Sequence, residues 1–314
     1  ALGIGGLTVA ALASCTQTPT WVAPTDPAVD RTERDRGGSG RIVTTALTAA
    51  ATTLDLAGTT ARTYSYGSIP GPVLRLQAGD TLQATLRNQL PIDTSVHWHG
   101  LALRNDMDGV PPLTQQPIAT GDTFQYEFIT PDPGTHWFHP HVGAQLDTGL
   151  YGVLIVEDPN EPLSCDDEWV SVLDELREGM GDMGSMGEMF MRMGNMLMGA
   201  DSDLLGGDAG DVYYPHYLIN GKPAADPAQF IGTPGSKVRI RFINAGGDTA
   251  FRVALGGHRL TVTHTDGYPV EPLEVDSVLL GMGERYDVIV TLGDGAFPLV
   301  AEAVGKRERA FAVA

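Results

Sequence analysis

Short apolar runs, each ended by turn residues, recur along the chain from Arg41 onward. They occupy residues 73–76, 81–86, 123–129, 152–156, 169–173, 238–243, 259–263 and 286–291. Runs of this length, bounded by Gly, Pro, Asn and Asp, are typical of β-strands joined by tight turns. Glycine and proline supply 39 and 21 of the 314 residues, which also favours turns over long helices. The pattern predicts an all-β chain of sandwiches or barrels.

A stiff, polar segment divides the chain into two predicted domains. Asp158-Pro159-Asn160-Glu161-Pro162 begins this seam, and we predict a linker at residues 159–165. The first β-sandwich is predicted at residues 42–158 and the second at residues 166–305. An insertion rich in Gly and Met, at residues 179–210, interrupts the second domain.

The amino-terminal end has the character of an export signal. Residues 1–14 are apolar or small and carry no charge, and they are too short to span a bilayer, which favours a signal-peptide core. Leu12-Ala13-Ser14-Cys15 resembles a bacterial lipobox, in which Cys15 would be acylated; the alternative is ordinary secretion with Cys15 incidental. Residues 16–40 are predicted to form a polar tether. We therefore expect a truncated leader and an extracytoplasmic protein that is secreted or attached to the membrane through a lipid.

Charge and cysteine content exclude several classes of function. The 20 basic and 39 acidic residues give a net charge of −19, which repels phosphate backbones and attracts cations. The 2 cysteines exclude disulfide frameworks, iron–sulfur clusters and cysteine-rich zinc modules. Any metal chemistry must therefore depend on His, Asp or Met.

Two pairs of histidines are spaced for metal binding. His97 and His99 flank Trp98, and His139 and His141 flank Pro140. In an extended strand, residues two apart point to the same side, so each pair presents two imidazoles together. Neutral imidazole binds copper, zinc, iron and nickel. Two such pairs on neighbouring strands would bring four nitrogen ligands to one metal cluster.

The chain resembles the multicopper oxidases, the family of laccases, bilirubin oxidases, ferroxidases and cuprous oxidases. The resemblance covers residues 65–305, and its specific motifs lie in the first domain. These are His97-Trp98-His99-Gly100, Met107-Asp108-Gly109-Val110-Pro111, the run from His139 through His141 to Gln145, and Gly149-Leu150-Tyr151-Gly152. Gly283-Glu284-Arg285-Tyr286-Asp287-Val288-Ile289-Val290 resembles a strand of the family's second domain.

This resemblance implies two cupredoxin-like Greek-key domains and half of the ligands of a trinuclear copper cluster. It implies that His97 is a type 2 copper ligand and that His99, His139 and His141 are type 3 ligands. His136 is three residues before His139 and is expected on the opposite face of the strand. The resemblance further implies that Asp108 is the acidic residue that delivers protons to reduced oxygen; the alternative is a simple turn Asp before Gly109. Asp106 is the second candidate carboxylate.

The type 1 copper site of the family has no counterpart in this sequence. That site needs a cysteine thiolate with two histidines, whereas Cys165 lies between Ser164 and Asp166, and the next histidine is His216. We therefore expect a third cupredoxin domain, absent from this sequence, to supply type 1 copper and the other half of the trinuclear ligands. The 314-residue chain alone is expected to be inactive. Whether Cys165 pairs with a further cysteine stays open.

The insertion holds eight of the 10 methionines. They are Met180, Met183, Met186, Met189, Met191, Met193, Met196 and Met198. Thioether sulfur selects Cu(I), so one interpretation is a Cu(I)-binding patch like those of copper-tolerance oxidases. The other is a mobile, partly helical lid that uses Met as adaptable filler, although its glycines weaken a helix.

The sequence predicts a multicopper oxidase that couples one-electron oxidation of a substrate to four-electron reduction of O2 to water. The expected reductant is Cu(I), with a role in copper homeostasis, and phenols or aromatic amines are the competing laccase-like substrates. A copper-binding or copper-buffering lipoprotein without turnover is the alternative from another functional class. The sequence predicts no nucleic-acid partner and leaves the oligomeric state open.

Overall fold

A computed structural model of the chain describes residues 26–176, 200–212 and 214–314. The helical elements are α1 Pro27–Asp35 and two 3-10 helices, η1 Asn105–Met107 and η2 Gln145–Thr148. The strands of the first part are β1 Ile42–Leu56, β2 Thr59–Ser65, β3 Val73–Gln77, β4 Thr81–Asn88, β5 His97–His99, β6 Thr123–Ile129, β7 Gly134–His139 and β8 Gly152–Glu157. The strands that follow are β9 Asp167–Leu176, β10 Asp201–Ser202, β11 Gly207–Asp208, β12 His216–Ile219, β13 Lys222–Pro223, β14 Ala228–Gln229, β15 Lys237–Asn244, β16 Phe251–Leu255, β17 Leu260–Thr265, β18 Tyr268–Val275, β19 Val278–Leu280, β20 Arg285–Thr291, β21 Pro298–Ala303 and β22 Arg309–Val313. The prediction of an all-β chain is confirmed.

Two four-stranded sheets form the first sandwich. Their strand orders are β2-β1-β4-β6 and β3-β8-β7-β5. Strand β4 alternates half-buried and buried residues, which places Leu82, Ala84 and Leu86 in the core. Trp98 of β5 and Phe138 of β7 enter the same core from the facing sheet. The histidines that flank Trp98 consequently point away from the core.

The second sandwich packs a seven-stranded sheet against a five-stranded one. Their orders are β13-β12-β9-β15-β20-β17-β18 and β14-β22-β21-β16-β19. Strand β15 is buried along almost its whole length because it lies in the middle of the larger sheet and is covered on both faces. Strand β22 pairs with β21 and lies beyond the boundary at residue 305 that the sequence suggests.

The two sandwiches share an apolar contact. Trp137 and Tyr151 of the first pack with Val172 and Ile243 of the second in one buried cluster. Because Trp137 belongs to β7, this contact holds the strand that ends at His139 against the second sandwich.

Part of the predicted polar tether is helical. Asp26 caps α1 by accepting a hydrogen bond from the Ala28 N–H at 2.7 Å, and Pro27 suits the first helical position. A carboxylate oxygen of Glu33 in this helix accepts a hydrogen bond from the Ile129 N–H at 2.8 Å. This tertiary contact with β6, together with the cap, stabilises a helix that its polar composition does not indicate.

Several sequence predictions concern segments outside the described residues. Cys15 and the eight methionines from Met180 to Met198 lie there. The last part of the predicted insertion is described, and it forms the short β10–β11 hairpin.

Candidate metal centre

The pairing of β5 with β7 brings three histidines together. The two strands are antiparallel, and their register places His97 opposite His139 and His99 opposite Trp137. Side chains alternate along both strands, so His97, His99 and His139 share the face opposite to Trp98 and Phe138. The strand pairing that the two motifs suggest is therefore present.

His141 reaches the same place by a different backbone route. The sequence predicts an extended His139-Pro140-His141 segment, whereas the structure ends β7 at His139. Pro140 has no N–H and cannot continue the ladder, which accounts for the end of the strand. The His141 N–H instead donates to Ser95 Oγ at 3.0 Å. The His141 ring then lies 5.5 Å from the His97 ring and 6.1 Å from the His139 ring, between centroids.

The four imidazoles line one small cavity of about 220 Å³. One nitrogen from each of His97, His99 and His139 lies within 4.8 Å of the others. His99 Nδ1 and His139 Nε2 are 3.3 Å apart, a separation that a bridging metal or proton can occupy. Imidazole nitrogens in this arrangement form a donor set that copper, zinc or iron accepts.

Asp108 orients His97. The Nδ1–H of His97 donates to the Asp108 backbone carbonyl at 2.8 Å, and a carboxylate oxygen of Asp108 lies 3.3 Å from the same nitrogen. This arrangement leaves His97 Nε2 free for a ligand. Burial lowers the pKa of His97, but the hydrogen bonds and the charge of Asp108 outweigh it, so that the pKa is raised.

The second carboxylate candidate, Asp106, is engaged elsewhere. Its oxygens accept hydrogen bonds from Arg104 Nε at 2.7 Å and Arg104 Nη2 at 2.8 Å. The turn after Asp108 depends on Gly109, which has φ 76° and whose absent Cβ would lie 1.7 Å from the Val96 carbonyl oxygen. A residue with a side chain cannot occupy that position without moving β5, so Asp108-Gly109 is both a tight turn and the support of His97.

His99 and His139 are held in the neutral form. Burial lowers the pKa of His99 to about 2, and the nearby His139 and Arg285 lower it further. Burial likewise lowers the pKa of His139 to about 3, against a hydrogen bond from its Nδ1 to the Pro140 carbonyl at 2.8 Å. Neutral imidazole is the form that binds a metal.

Trp137 fixes the planes of these two rings. Its indole stacks on His99 with centroids 4.8 Å apart and on His139 with centroids 4.3 Å apart, both at 29°. Trp137 is itself buried in the contact between the two sandwiches. The ring orientations at the cavity therefore depend on the way the sandwiches pack.

The second sandwich contributes lining residues that no metal-ligand pattern in the sequence marks. Gly246, Gly247, Met282 and Gly283 line the cavity beside the imidazoles. Gly246 and Gly247 follow β15, and Gly283 precedes β20. Sequence spacing alone does not show that these loops lie beside the histidines. Gly283 is the first residue of the Gly283–Val290 motif, which was the available signal.

That motif fastens β7 to the second sandwich. Thr135 Oγ1 donates to an Asp287 carboxylate oxygen at 2.7 Å, and Arg285 Nε donates to the Thr135 carbonyl at 3.1 Å. Asp287 also accepts from Arg239 Nη2 at 2.6 Å and Arg241 Nη1 at 3.0 Å. These hydrogen-bonded charges lie in the interface between the sandwiches. Removal of one partner there would leave a buried charge unpaired and would destabilise the fold.

His136 lies on the other face of β7, as the alternation predicts. It is buried and does not line the cavity of the four imidazoles. Burial, followed by the charge of Arg285, lowers the pKa of His136 to about 4.

Comparison with known proteins gives the same family for both sandwiches. Family models described as "Multicopper oxidase" match residues 48–161 and 200–313. The chain is 49% identical to multicopper oxidase MmcO of Mycobacterium tuberculosis over 326 residues, and 33% identical to copper resistance protein A of Escherichia coli over 269 residues. The alignments cover 99% and 76% of this chain. The crystal structure of a laccase from Botrytis aclada superposes with a TM-score of 0.73 at 28% identity, covering 91% of this chain and 54% of the laccase.

The chain spans less than two thirds of the length of the two sequence relatives. It covers 64% of the mycobacterial protein and 44% of the Escherichia coli protein. The likeness to the laccase structure supports the expected cupredoxin-like Greek-key fold of the two sandwiches.

Proposed function

The chain belongs to the multicopper oxidase family, and we propose that it supplies His97, His99, His139 and His141 to a copper centre at which O2 is reduced to water. The observation that carries the proposal is the convergence of four imidazoles on one cavity, two of which, His99 and His139, burial keeps neutral. Nitrogens of three of these histidines lie within 4.8 Å of one another, and the fourth ring lines the same cavity. Such a set suits copper, and the charge of −19 favours the approach of cations.

The residues around the cavity have separable tasks in this proposal. Bound copper would supply the redox chemistry that couples oxidation of a substrate to reduction of O2. The Asp108 carbonyl and the Pro140 carbonyl orient His97 and His139, and Trp137 holds the planes of His99 and His139. His97 is the proposed type 2 ligand, and the other three are the proposed type 3 ligands.

Asp108 is the proposed proton-carrying residue. Its side chain is 30% exposed, and its carboxylate lies 3.3 Å from Nδ1 of His97, whose ring lines the cavity. A carboxylate in this position can take a proton from water and hold it beside the site where oxygen is reduced. Asp106 is less suited because Arg104 binds both of its oxygens.

We propose Cu(I) as the physiological reductant of the complete oxidase. A relative at 33% identity is named copper resistance protein A, and eight methionines lie between Met180 and Met198. Phenols and aromatic amines form the second substrate class, which the likeness to a laccase favours. Oxidation rates of the complete oxidase for Cu(I) and for a phenol, with and without residues 179–210, distinguish the two. If the deletion leaves the Cu(I) rate unchanged, the methionines have no part in the reaction.

We further propose that type 1 copper and the remaining trinuclear ligands come from a third cupredoxin domain of the complete oxidase. Cys165, the one cysteine among the described residues, is exposed and lies between Ser164 and Asp166. A blue-copper absorption band in the complete oxidase, and its absence from the 314-residue chain after copper loading, is the expected result. The copper-buffering alternative predicts no such band and no O2 consumption in either protein.

The proposed location is outside the cytoplasm. Among the described residues, no helix is long and apolar enough to cross a membrane. Attachment through an acylated Cys15 is the proposed anchor; mass spectrometry of the mature amino terminus tests it, and an unmodified Cys15 would contradict it.

Metal analysis of the 314-residue chain tests the centre itself. Loading with Cu(II), followed by gel filtration, is expected to leave bound copper in the unmodified chain and to leave much less in His97→Ala. His258→Ala is the matched control because His258 is a half-buried histidine of the second sandwich that does not line the cavity. Equal copper contents in all three proteins would refute the proposed centre.

A further inference from the structure

Glu175 lies directly behind the wall that the second sandwich adds to the four-histidine cavity. Gly246 and Gly247 form part of this wall, called here the glycine wall. A Cβ at Gly246 would lie 2.6 Å from Glu175 Oε2. Because Gly246 has no side chain, the carboxyl group can reach the back of the wall. A single residue, Gly246, therefore touches both the cavity and the carboxyl group.

Hydrogen bonds fix the loop that carries the glycine wall. The Gly246 N–H donates to Asn244 Oδ1 at 2.9 Å, and Asn244 Nδ2 donates to the Thr249 carbonyl at 2.8 Å. Two residues after Gly246, the Asp248 N–H donates to Glu175 Oε1 at 2.7 Å. The loop therefore closes around the carboxyl group and holds it at the wall.

The second oxygen of Glu175 is buried without a hydrogen-bond partner. Glu175 has no exposed surface, and Oε2 accepts no hydrogen bond from any residue that the structure describes. A buried carboxylate oxygen without a donor is costly, so the group keeps a proton unless a nearby positive charge stabilises the anion. Burial accordingly raises the pKa of Glu175 to about 7.

Titratable groups face Glu175 from its own strand, from η2 and from the loops packed against them. They are Asp174, Asp147, Tyr214, Asp248 and Lys306. The charge of Lys306 lowers the pKa of Glu175, whereas that of Asp147 raises it. Lys306 Nζ is itself paired with an Asp248 carboxylate oxygen at 2.7 Å. Lys306 therefore compensates an ionised Glu175 only in part.

We propose that Glu175 is the charge-compensating partner of the metal in the four-histidine cavity: copper bound there displaces the proton of this carboxyl group, and the carboxylate strengthens copper binding through the glycine wall. The interaction is Coulombic and acts through buried backbone, where the effective dielectric constant is far below that of water. The released proton goes to bulk water, and Glu175 forms no bond to the metal. The inference rests on the proposed copper function of the four histidines.

The coupling between proton and metal is reciprocal. If copper lowers the pKa of Glu175 by about one unit, the ionised carboxylate raises the copper affinity about tenfold. The pKa of Glu175 is about 7 in the metal-free chain. The gain in affinity is therefore expected at pH 8 and is absent at pH 5, where the carboxyl group is protonated with and without copper.

The pH dependence of copper affinity tests this coupling. Glu175→Gln keeps the acceptor for the Asp248 N–H and removes the ionisable proton. Titration of the 314-residue chain with Cu(II) against a competing chelator is expected to show this variant about tenfold weaker than the unmodified chain at pH 8 and equal to it at pH 5. A ratio of affinities that does not change with pH would overturn the proposal, because a merely structural defect weakens binding at both pH values.

Glu302→Gln is the matched control for the loss of a carboxylate. Glu302 is 51% exposed, pairs with Arg252 and does not line the cavity. Its replacement is expected to leave the copper affinity unchanged at both pH values.

Infrared difference spectroscopy follows the carboxyl group in the unmodified chain. Loading with Cu(II) at pH 7 is expected to reduce the C=O stretching band of a protonated carboxyl group. This loss of intensity is expected to be missing in Glu175→Gln. A carboxyl band that keeps its full intensity on loading would show that the proton stays in place, and would refute the coupling.

The failure of this inference is distinguishable from failure of the proposed function. If Cu(II) binds the chain and is lost in His97→Ala, while the carboxyl band and the pH dependence of affinity do not respond to Glu175→Gln, the coupling is refuted and the copper centre stands. If Cu(II) does not bind at the histidines, both proposals fall.

Discussion

Glu175 is a buried carboxyl group whose ionisation opposes folding. It lies in β9 and has no exposed surface. One oxygen accepts a hydrogen bond from the Asp248 N–H at 2.7 Å, and the other, Oε2, has no hydrogen-bond partner in the part of the chain that the structure describes. Burial raises the pKa of Glu175 from 4.5 to about 7, although the Asp248 N–H and the charge of Lys306 act in the opposite direction.

The pKa determines how stability varies with pH. Because the folded state binds this proton more tightly than the unfolded state, the contribution of Glu175 is complete below pH 4.5 and is lost as the pH rises through about 7. Raising the pKa of one group from 4.5 to about 7 corresponds to about 3 kcal/mol of free energy of unfolding. Glu175→Gln keeps the acceptor oxygen for the Asp248 N–H and removes the charge.

We therefore expect Glu175→Gln to be more stable than the unmodified chain at pH 8 by about 3 kcal/mol, relative to the difference between the two at pH 4.5. Urea unfolding of the metal-free chain at a series of pH values, followed by tryptophan fluorescence, measures this difference. Glu302→Gln is the matched control: Glu302 is 51% exposed and pairs with Arg252 at the surface, so a change within about 1 kcal/mol is expected. Parallel pH profiles of Glu175→Gln and the unmodified chain would show that Glu175 ionises in the folded state as easily as in water, and would refute the reasoning.

Three further predictions concern the contact between the sandwiches and the cavity. Asp287→Asn is expected to destabilise the chain by about 3–5 kcal/mol, because it removes the negative charge that pairs with the buried Arg239 and Arg241. Urea unfolding at pH 7 measures the loss of stability, and a loss below about 1 kcal/mol would contradict the prediction. Trp137→Ala is expected to lower the free energy of unfolding by about 3–5 kcal/mol, because the indole is 2% exposed and packs in the interface between the sandwiches. Thermal unfolding measures this change, and an unchanged midpoint would be inconsistent with that packing. Cu(II) at a hundred times its Kd is expected to raise the free energy of unfolding of the chain by about 2.7 kcal/mol, and a chelator is expected to reverse this stabilisation. His97→Ala is expected not to be stabilised by Cu(II). Equal stabilisation of the variant would show that the metal binds elsewhere.

Local pattern was enough to predict the class of fold and four candidate ligands. Short alternating runs such as Thr81–Asn88 identify strands because a half-buried strand must alternate its faces. His97 and His99 could be paired from their spacing alone, since period two holds wherever the backbone is extended. Asp108 was singled out through the resemblance of Met107-Asp108-Gly109-Val110-Pro111 to the family's motif, because the Asp-Gly pair by itself indicates only a turn.

Other features depend on residues that are distant in the chain, and no local pattern encodes them. Residues 27–35 are polar enough to suggest a tether, and the local Asp26-Pro27 start of the helix is supported by the distant contact of Glu33 with β6. The end of β7 at His139 follows from Pro140, but the position of the His141 ring depends on Ser95, which lies in another segment.

The pairing of His97 with His99 was determined by their spacing along β5, because β-structure converts a spacing of two into a shared face. His141 lies beyond the end of β7, so its place beside His139 was not determined in this way. The register that sets His97 opposite His139 was decided by the pairing of β5 with β7 inside the first sandwich. The wall that Gly246, Gly247 and Met282 add, and the partnership of Thr135 with Asp287, were decided only when the two sandwiches packed together. The physical reason is that each of these relations joins residues far apart in sequence, and their closeness depends on the burial of Trp137 and its neighbours in a common interface.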